Sequence, residues 1–263
     1  MRMKSENVVI VPIYRKPDGS ETVALRQCLS VLGAGHDIVA VHPESFGMAE
    51  IQAQYPQLKA KAFPDVCFKG VEGYNFMMLS PEFYEAFSAY KYMLIYQLDA
   101  YVFADHLDEW AAKGFDYVGA PWVANSNIFQ STVGAVVRKV RCALRPVGST
   151  ERVTHAQMAF QVGNGGFSLR RIAKMIEVTR SFKEEILQLT FGEKKAQEDV
   201  FLSLYVRKRA GINVPGWREA TGFAWENNPR RCMQVNGNQL PFGCHGWSRG
   251  KAYEQFWKQY IVM

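Results

Sequence analysis

Short apolar runs alternate with helical stripes of apolar residues along the first third of the chain. Residues 7–13 and 37–42 are rich in β-branched residues and are bounded by turns, as expected of buried parallel strands. Between them, residues 21–33 carry apolar side chains at helical spacing and end at a glycine. Strand, helix and strand at this spacing predict a βαβ unit with a right-handed crossover.

Weaker patterns cover the rest of the chain, and its C-terminal third is irregular and aromatic. They predict further short elements, namely strands near 65–68, at 92–98 and at 117–120, and helices at 47–55, 80–90, 169–190 and 198–210. We find no internal repeat and no low-complexity linker. We therefore predict an α/β fold in a single domain over 1–263, with a mixed, mainly parallel sheet flanked by helices.

The positive net charge of the chain favours anionic partners. A formal net charge of +6 suits an anionic ligand such as a nucleotide diphosphate, a membrane surface or nucleic acid. Residues 131–149 form an amphipathic pattern with a cationic face, which fits peripheral contact with an anionic membrane. A solvated helix or an insertion would give the same pattern. Because no nucleic-acid-binding module is recognisable, we expect no nucleic-acid partner.

Cysteine usage and the N-terminal sequence bear on the compartment. Five cysteines without a C-x-x-C pair argue against a disulfide framework and a zinc knuckle, and indicate reduced, mostly buried thiols. The sequence shows neither a hydrophobic signal region nor an apolar run long enough to span a bilayer. We therefore expect a cytoplasmic protein.

A candidate ligand-binding carboxylate follows the predicted strand at 92–98. Asp99 comes directly after this apolar run, and open α/β sheets place ligands at the carboxyl ends of their strands. A carboxylate there can hold a divalent cation that bridges the two phosphates of a nucleotide sugar. An aspartate that only caps the following turn would give the same sequence.

A glycine-rich turn and an acidic pair form a second candidate site. Residues 163–166 read Gly-Asn-Gly-Gly, and such a turn allows a bulky ligand to approach the backbone. Glu198 and Asp199 begin a later helical pattern and offer a base beside that opening. The same acidic pair would also complement a helix dipole.

These motifs resemble those of GT-A glycosyltransferases. In that superfamily an apolar strand ends in Asp-x-Asp and a short acidic helix follows, as Asp99 and residues 108–110 (Asp-Glu-Trp) do here. The resemblance implies a GT-A-like (Rossmann-like) fold, with a donor-binding half at about 7–120 and an acceptor-binding, catalytic half at about 121–250. It also implies a divalent cation, Mn²⁺ or Mg²⁺, although Tyr101 stands where the motif has its second aspartate.

The turn and the acidic pair are similar to elements of inverting galactosyl- and N-acetylglucosaminyltransferases. In those enzymes a Gly-Gly turn lies beside the donor sugar, and the aspartate of a later Glu-Asp pair is usually the catalytic base. The resemblance implies that Gly165 and Gly166 admit the sugar. It further implies that Asp199 deprotonates the acceptor hydroxyl while Glu198 binds acceptor or sugar hydroxyls.

The C-terminal segment 241–247 is similar to the His-Gly element of GT-A enzymes. The resemblance implies that His245 completes the metal site with Asp99, because imidazole suits manganese and similar ions. A lone histidine in an aromatic segment is also a common structural residue.

Further donor and acceptor contacts are expected at the first strand exit and at tryptophans. In the resembled fold that exit holds the nucleotide, so Arg15 is expected to pair with a phosphate and Tyr14 to stack on the base. A solvated arginine and a turn tyrosine fit as well, and a tryptophan can be core rather than a sugar platform. The residues assigned are, for the donor, Pro12, Tyr14, Arg15, Asp99, Tyr101, Gly165 and Gly166 and, for the acceptor, Trp122, Trp225 and Trp247.

The whole set of motifs resembles one uncharacterised glycosyltransferase-like family, a domain of unknown function, over residues 7–250. It implies a GT-A fold but names no substrate. Our leading hypothesis is an enzyme of polysaccharide biosynthesis that moves a sugar, with inversion, from a nucleotide-sugar donor to a hydroxyl of a glycan or lipid-linked acceptor. UDP is the nucleotide by analogy alone. Two alternatives stay open: a nucleotidyltransferase, which needs more carboxylates around its metal, and a non-catalytic protein that binds sugar or nucleic acid.

Overall fold

The computed structural model describes residues 5–124, 153, 155–191 and 197–263. The predicted amphipathic helix at 131–149 lies outside these residues. Within them the strands form two sheets, of six and three strands. The strands are β1 (Asn7–Pro12), β2 (Asp37–Pro43), β3 (Lys59–Phe63), β4 (Tyr92–Tyr96), β5 (Ala100–Val102), β6 (Tyr117–Val118), β7 (Phe167–Arg171), β8 (Ala224–Trp225) and β9 (Gly243–His245).

Helices connect the strands and cover the larger sheet. The α-helices are α1 (Gly19–Leu32), α2 (Ala49–Gln54), α3 (Gly70–Met78), α4 (Pro81–Glu85), α5 (Leu107–Ala112), α6 (His155–Met158), α7 (Ile172–Ser181), α8 (Lys183–Phe191), α9 (Glu198–Val200), α10 (Trp217–Ala220), α11 (Pro229–Val235) and α12 (Ala252–Gln255). Short 3₁₀-helices lie at Asp65–Phe68 and Trp257–Gln259, and a π-helical turn at Phe201–Tyr205 follows α9. None of the described helices is long and apolar enough to cross a membrane.

The larger sheet confirms the predicted fold class. Its strand order is β3-β2-β1-β4-β7-β6. The first four strands of this order run parallel, and β7 pairs antiparallel with both β4 and β6. The sheet is therefore mixed and mainly parallel. The carboxyl ends of β1 and β4 and the amino end of β7 meet at one edge of the sheet. Open α/β sheets bind ligands at the carboxyl ends of their parallel strands.

The first βαβ unit follows from local sequence chemistry. Every residue of β1 is buried, as expected of a central parallel strand covered on both faces. Asp18 and Glu21 form a capping box that starts α1. The helix then packs an apolar stripe that includes Leu25 and Leu29 against the sheet.

Three predicted elements differ from the structure because tertiary pairing overrides local pattern. The predicted strand near 65–68 is a 3₁₀-helix, and the edge strand is β3, whose lysines are exposed and give no apolar signal. The predicted helix at 169–190 begins with β7, since residues 167–171 pair with β4. The helical pattern at 198–210 yields only α9 and the π-helical turn.

The smaller sheet brings the C-terminal segment back to the end of β4. Strand β5 pairs antiparallel with β9, with Ala100 opposite His245, and β8 pairs parallel with β9. An aromatic core supports this sheet and contains Trp225, Trp247 and Trp257. The residues that flank these strands are therefore held close together on a rigid base. As predicted, the described cysteines, Cys28, Cys67, Cys232 and Cys244, are free and buried.

Candidate functional site

A cavity of about 570 Å³ opens at the carboxyl ends of β1 and β4, between the two sheets. Its lining comes from both halves of the chain and contains polar and apolar surface in similar amounts. Most of the residues singled out in the sequence meet there, namely Pro12, Tyr14, Arg15, Asp99, Trp122, Gly165, Gly166, Glu198, Asp199 and His245. The fold therefore assembles the separate motifs into one place.

Two carboxylates and two cationic side chains form a cluster at one side of this cavity. His245 lies between the carboxylates, with Nε2 3.0 Å from Asp99 Oδ1 and Nδ1 3.2 Å from Glu226 Oε1. Arg249 Nη2 lies 2.5 Å from Asp99 Oδ2, and its Nη1 lies 3.7 Å from Glu226 Oε1. Gln97 Oε1 also faces Nε2, at 3.1 Å. We call Asp99, Glu226, His245 and Arg249 the charge cluster.

The opposite charges within the charge cluster compensate each other. Burial opposes ionisation of His245, but hydrogen bonds and charge from Asp99 and Glu226 raise its pKa to about 9. Burial likewise acts against ionisation of Asp99, and the His245 and Arg249 contacts hold the pKa of Asp99 below its usual range. At neutral pH the two carboxylates and the two cations are all charged, and their charges cancel.

Asn164 links the charge cluster to the acidic pair. Its backbone is left-handed, with φ 66°, a conformation that asparagine tolerates better than most residues. Its side-chain oxygen accepts from the Gly166 N–H at 3.1 Å, and its side chain also hydrogen-bonds to the Glu226 carboxylate of the charge cluster. Its own N–H donates to Asp199 Oδ2 at 3.1 Å. One turn residue thus fixes both functional groups.

The glycines of the turn allow close packing of side chains against the backbone. A Cβ atom on Gly165 would collide with the Glu198 carboxylate, and one on Gly166 would collide with the His245 ring. The Trp122 ring fills the same space beside Gly163. Both Gly165 and Gly166 line the cavity, so their place beside a donor sugar stays a prediction.

Glu198 is held by a buried arginine. Arg170 is fully buried, and its Nη2 lies 2.8 Å from Glu198 Oε1. The guanidinium also donates to Tyr84 Oη at 2.9 Å and to Ser168 Oγ at 3.0 Å. A buried carboxylate needs such a partner. Glu198 reaches the cavity as one half of a fixed ion pair.

Asp199 is the group in the cavity best suited to take up a proton near neutral pH. Burial, and then the neighbouring Glu198 charge, raise its pKa from 3.8 to about 7. Its carboxylate accepts from the Val200 N–H at 2.7 Å as well as from Asn164. A carboxyl held in place with a pKa near 7 has the properties of a general base.

Three residues assigned to ligands are core residues instead. Trp225 and Trp247 are fully buried, and their indole N–H groups donate to backbone carbonyls at 2.5 Å and 3.1 Å. Tyr101 packs its ring against Trp247, 6.0 Å between centroids. None of the three lines the cavity. Trp122 does, so it is the one assigned tryptophan placed to meet a sugar.

Tyr14 and Arg15, which follow β1, also line the cavity. Tyr14 is 55% exposed, which leaves its ring accessible. Arg15 Nη2 lies 2.7 Å from Glu21 Oε1 and 3.6 Å from Asp18 Oδ2. Arg15 is therefore already paired with the cap of α1.

Sequence reasoning missed four residues that shape the site: Asn164, Arg170, Glu226 and Arg249. Asn164 stands among the glycines of the turn, and its tolerance of left-handed backbone was a usable signal. Arg170, Glu226 and Arg249 carry no local signal, because their partners lie 19 to 150 residues away in the chain.

The side chains around Asp99 do not fit a divalent cation in this arrangement. Within the described part of the chain, no group of three or more His, Cys, Asp or Glu side chains could hold a metal ion. The second aspartate of the motif is Tyr101, whose ring lies in the core. Asp99 and His245, the predicted metal ligands, do lie together, but they contact each other as an ion pair.

Comparison with solved structures defines the class of the fold. Similar structures include a core-mannan synthase A (CmsA/Ktr4) from Aspergillus fumigatus in a Mn/GDP form, at 9% identity over 82% of this chain and 73% of that chain, with a TM-score of 0.53. The mannosyltransferase Ktr4p from S. cerevisiae is 8% identical over 82% of this chain and 69% of that chain, with a TM-score of 0.55. The galactosyltransferase LgtC in complex with donor and acceptor sugar analogs is 10% identical over 91% of this chain and 86% of that chain, with a TM-score of 0.55. The chain therefore has the predicted GT-A fold.

The family follows from the sequence itself. Residues 57–245 match the family described as "Protein of unknown function (DUF5672)", and the chain belongs to that family. No curated protein matches the sequence.

Proposed function

We propose that this protein transfers a sugar from a nucleotide-sugar donor to an acceptor hydroxyl. The observation that carries the proposal is the position of Asp199. A buried carboxyl with a pKa of about 7 faces the same cavity as the charge cluster at the end of β4, which is where a GT-A fold has room for a donor diphosphate.

The reaction needs one proton acceptor and one anion-binding end. The acceptor oxygen forms a bond to the anomeric carbon while the bond from that carbon to the diphosphate breaks, and the nucleoside diphosphate leaves with the electron pair. Asp199 accepts the hydroxyl proton. Because this is a single displacement, the proposal requires inversion at the anomeric carbon.

The two ends of the donor are assigned to two parts of the cavity. The diphosphate lies against the charge cluster, and the base and ribose lie toward Tyr14 and Arg15 at the exit of β1. UDP follows from the sequence resemblance, and GDP is the nucleotide of the Mn/GDP-form mannan synthase. Both are therefore tested below.

The acceptor is assigned to the side of the cavity nearest Asp199. Trp122 lies beside Gly163, next to the Asn164 N–H that binds Asp199, and Phe68 and Val71 also line the cavity. An aromatic face and apolar neighbours suit a pyranose ring or a lipid-linked sugar. We propose a glycan or lipid-linked acceptor on this basis.

Calorimetry and a donor-cleavage assay test the proposal. We expect UDP or GDP to bind the purified full chain, and the matching nucleotide sugar to be cleaved or transferred. Asp199→Asn should retain nucleotide binding but lose about 10²–10⁴-fold in rate. Asp108→Asn, which changes an exposed aspartate outside the cavity, is the matched control.

Two outcomes would contradict parts of the proposal. Failure of every nucleotide and nucleotide sugar to bind would remove the glycosyltransferase function. A product whose anomeric configuration is retained, measured by NMR, would exclude Asp199 as the base of a single displacement.

A further inference from the structure

Both oxygens of Asp99 already have partners among the side chains of the protein, and one of these partners is the Arg249 guanidinium. His245 Nε2 takes Oδ1 at 3.0 Å, and Arg249 Nη2 takes Oδ2 at 2.5 Å. A strand-end carboxylate attracts a divalent cation because its charge is uncompensated. Here the charge is compensated from within the chain.

Glu226 extends the same arrangement to a second carboxylate. His245 lies between Glu226 and Asp99, and Arg249 approaches both carboxylates, at 3.7 Å and 2.5 Å. The two carboxylates and the two cations alternate. Because the carboxylates lie against different ring nitrogens of His245, they do not converge on one point as metal ligands would.

Arg249 is the outermost cation of this cluster. Its side chain is 59% exposed and lines the cavity, whereas His245 is buried. The turn at Gly246, with φ 68°, folds the chain so that the Arg249 side chain lies 3.3 Å from the position of a Cβ on that glycine. The guanidinium is thus placed above Asp99 and open to the cavity.

A guanidinium can bind a carboxylate with one edge and a phosphate with the other. It carries five N–H donors in a fixed plane, and that plane matches the geometry of phosphate oxygens. Arg15, the other arginine of the cavity, is not part of the charge cluster and contacts Glu21 and Asp18 at the exit of β1.

We propose that Arg249, held on Asp99 and Glu226, binds the donor diphosphate in place of a divalent cation, so that nucleotide binding does not require a metal. The inference rests on the proposed function and specifies how its donor site works. It also accounts for Tyr101, because a site that uses Arg249 needs no second aspartate in the strand-end motif.

Calorimetry with UDP and GDP, each in EDTA and in Mn²⁺, tests the inference on the full chain. We expect one nucleotide to bind in EDTA, with an affinity that Mn²⁺ changes by less than about threefold. Arg249→Gln should weaken that binding by tenfold or more, and Arg249→Lys should recover part of the loss because it restores the charge without the planar donors. Arg230→Gln, an exposed arginine outside the cavity, should bind like the wild type.

The outcomes separate this inference from the proposed function. A nucleotide that binds only with Mn²⁺, or one that Arg249→Gln binds as tightly as the wild type, overturns the role of Arg249 and leaves glycosyl transfer standing. The absence of nucleotide binding in every condition overturns the proposed function. Thermal melts of the Arg249 variants check that each variant is folded. If Arg249→Gln does not fold, the nucleotide affinity of Arg249→Lys is compared with that of the wild type.

Discussion

At the residue scale, Asp199 couples the stability of the protein to its chemistry. Burial beside Glu198 raises the pKa of its carboxyl to about 7, so the carboxyl keeps its proton at higher pH than an exposed aspartate does. The same burial that makes it a base near neutral pH makes its ionised form costly. Ionisation of Asp199 should therefore favour the reaction and disfavour the fold over one pH range.

Asp199→Asn should remove a pH-dependent loss of stability. The unfolded chain releases this proton above a pKa of 3.8, while the folded chain holds it to about 7. The wild type therefore binds more protons folded than unfolded between these values, and its stability falls as the pH rises from about 4 to about 7. Asparagine cannot ionise, so the stability of Asp199→Asn relative to the wild type should increase as the pH rises over that interval. Urea unfolding at pH 4.5 and pH 8 measures the change, and parallel pH profiles would contradict it.

Arg170 and Arg209 offer a matched pair of ion-pair tests. Arg170→Ala leaves Glu198 charged, buried and unpaired, and we expect the free energy of unfolding to fall by about 3–5 kcal/mol. Arg209 pairs with Glu185 at the surface, with both side chains about half exposed. Arg209→Ala should therefore cost no more than about 1 kcal/mol. Urea unfolding compares the two, and equal losses would show that the Arg170–Glu198 pair is not buried as described.

At the element scale, the turn before β7 is what joins the two functional groups. Its glycines let the side chains from α9 and β9 come close to one backbone segment. Strand β7 then fixes the turn against β4, because Gln97 N–H donates to the Gly166 carbonyl at 2.8 Å. The site depends on this short segment more than on any helix.

Gly165→Ala and Gly166→Ala should each disrupt a particular side chain. The added methyl group displaces the Glu198 carboxylate in the first variant and the His245 ring in the second. We expect a loss of about 1–3 kcal/mol in stability from overpacking, together with at least a tenfold loss of nucleotide binding for Gly166→Ala. Gly47→Ala, where an added Cβ meets nothing within 4 Å, is the control. Unchanged melting temperatures in all three variants would refute the packing role of the turn.

At the scale of the whole molecule, the cavity belongs to neither half of the chain alone. Asp99 comes from the first half, while Asp199, Glu226 and His245 come from the second. The antiparallel pairing of β7 with β4 and of β9 with β5 joins the halves through backbone hydrogen bonds. The two halves should therefore unfold together.

Equilibrium unfolding should show one transition. Three of the six tryptophans, Trp225, Trp247 and Trp257, are buried in the aromatic core, so their fluorescence includes a large signal from that core, while far-ultraviolet circular dichroism reports on the helices and the large sheet. We expect the two probes to give the same urea midpoint. Separate midpoints would mean that the two sheets fold as independent units.

The sequence by itself determined the βαβ start, the α/β class and the residues of the motifs. Continuous apolar runs and helical spacing are local properties, so β1, α1 and β2 were readable without the fold. Asp99 was singled out at the end of a predicted strand, the Glu198 and Asp199 pair at the start of a helical pattern, and His245 through the resemblance of segment 241–247 to the His-Gly element.

Only the tertiary structure decided which residues meet. It placed Trp225 and Trp247 in the core, turned the start of a predicted helix into β7, and brought Arg249 onto Asp99 from 150 residues away. The physical reason is that burial and ion pairing depend on distances across the fold, and no local pattern encodes a partner that distant in the chain.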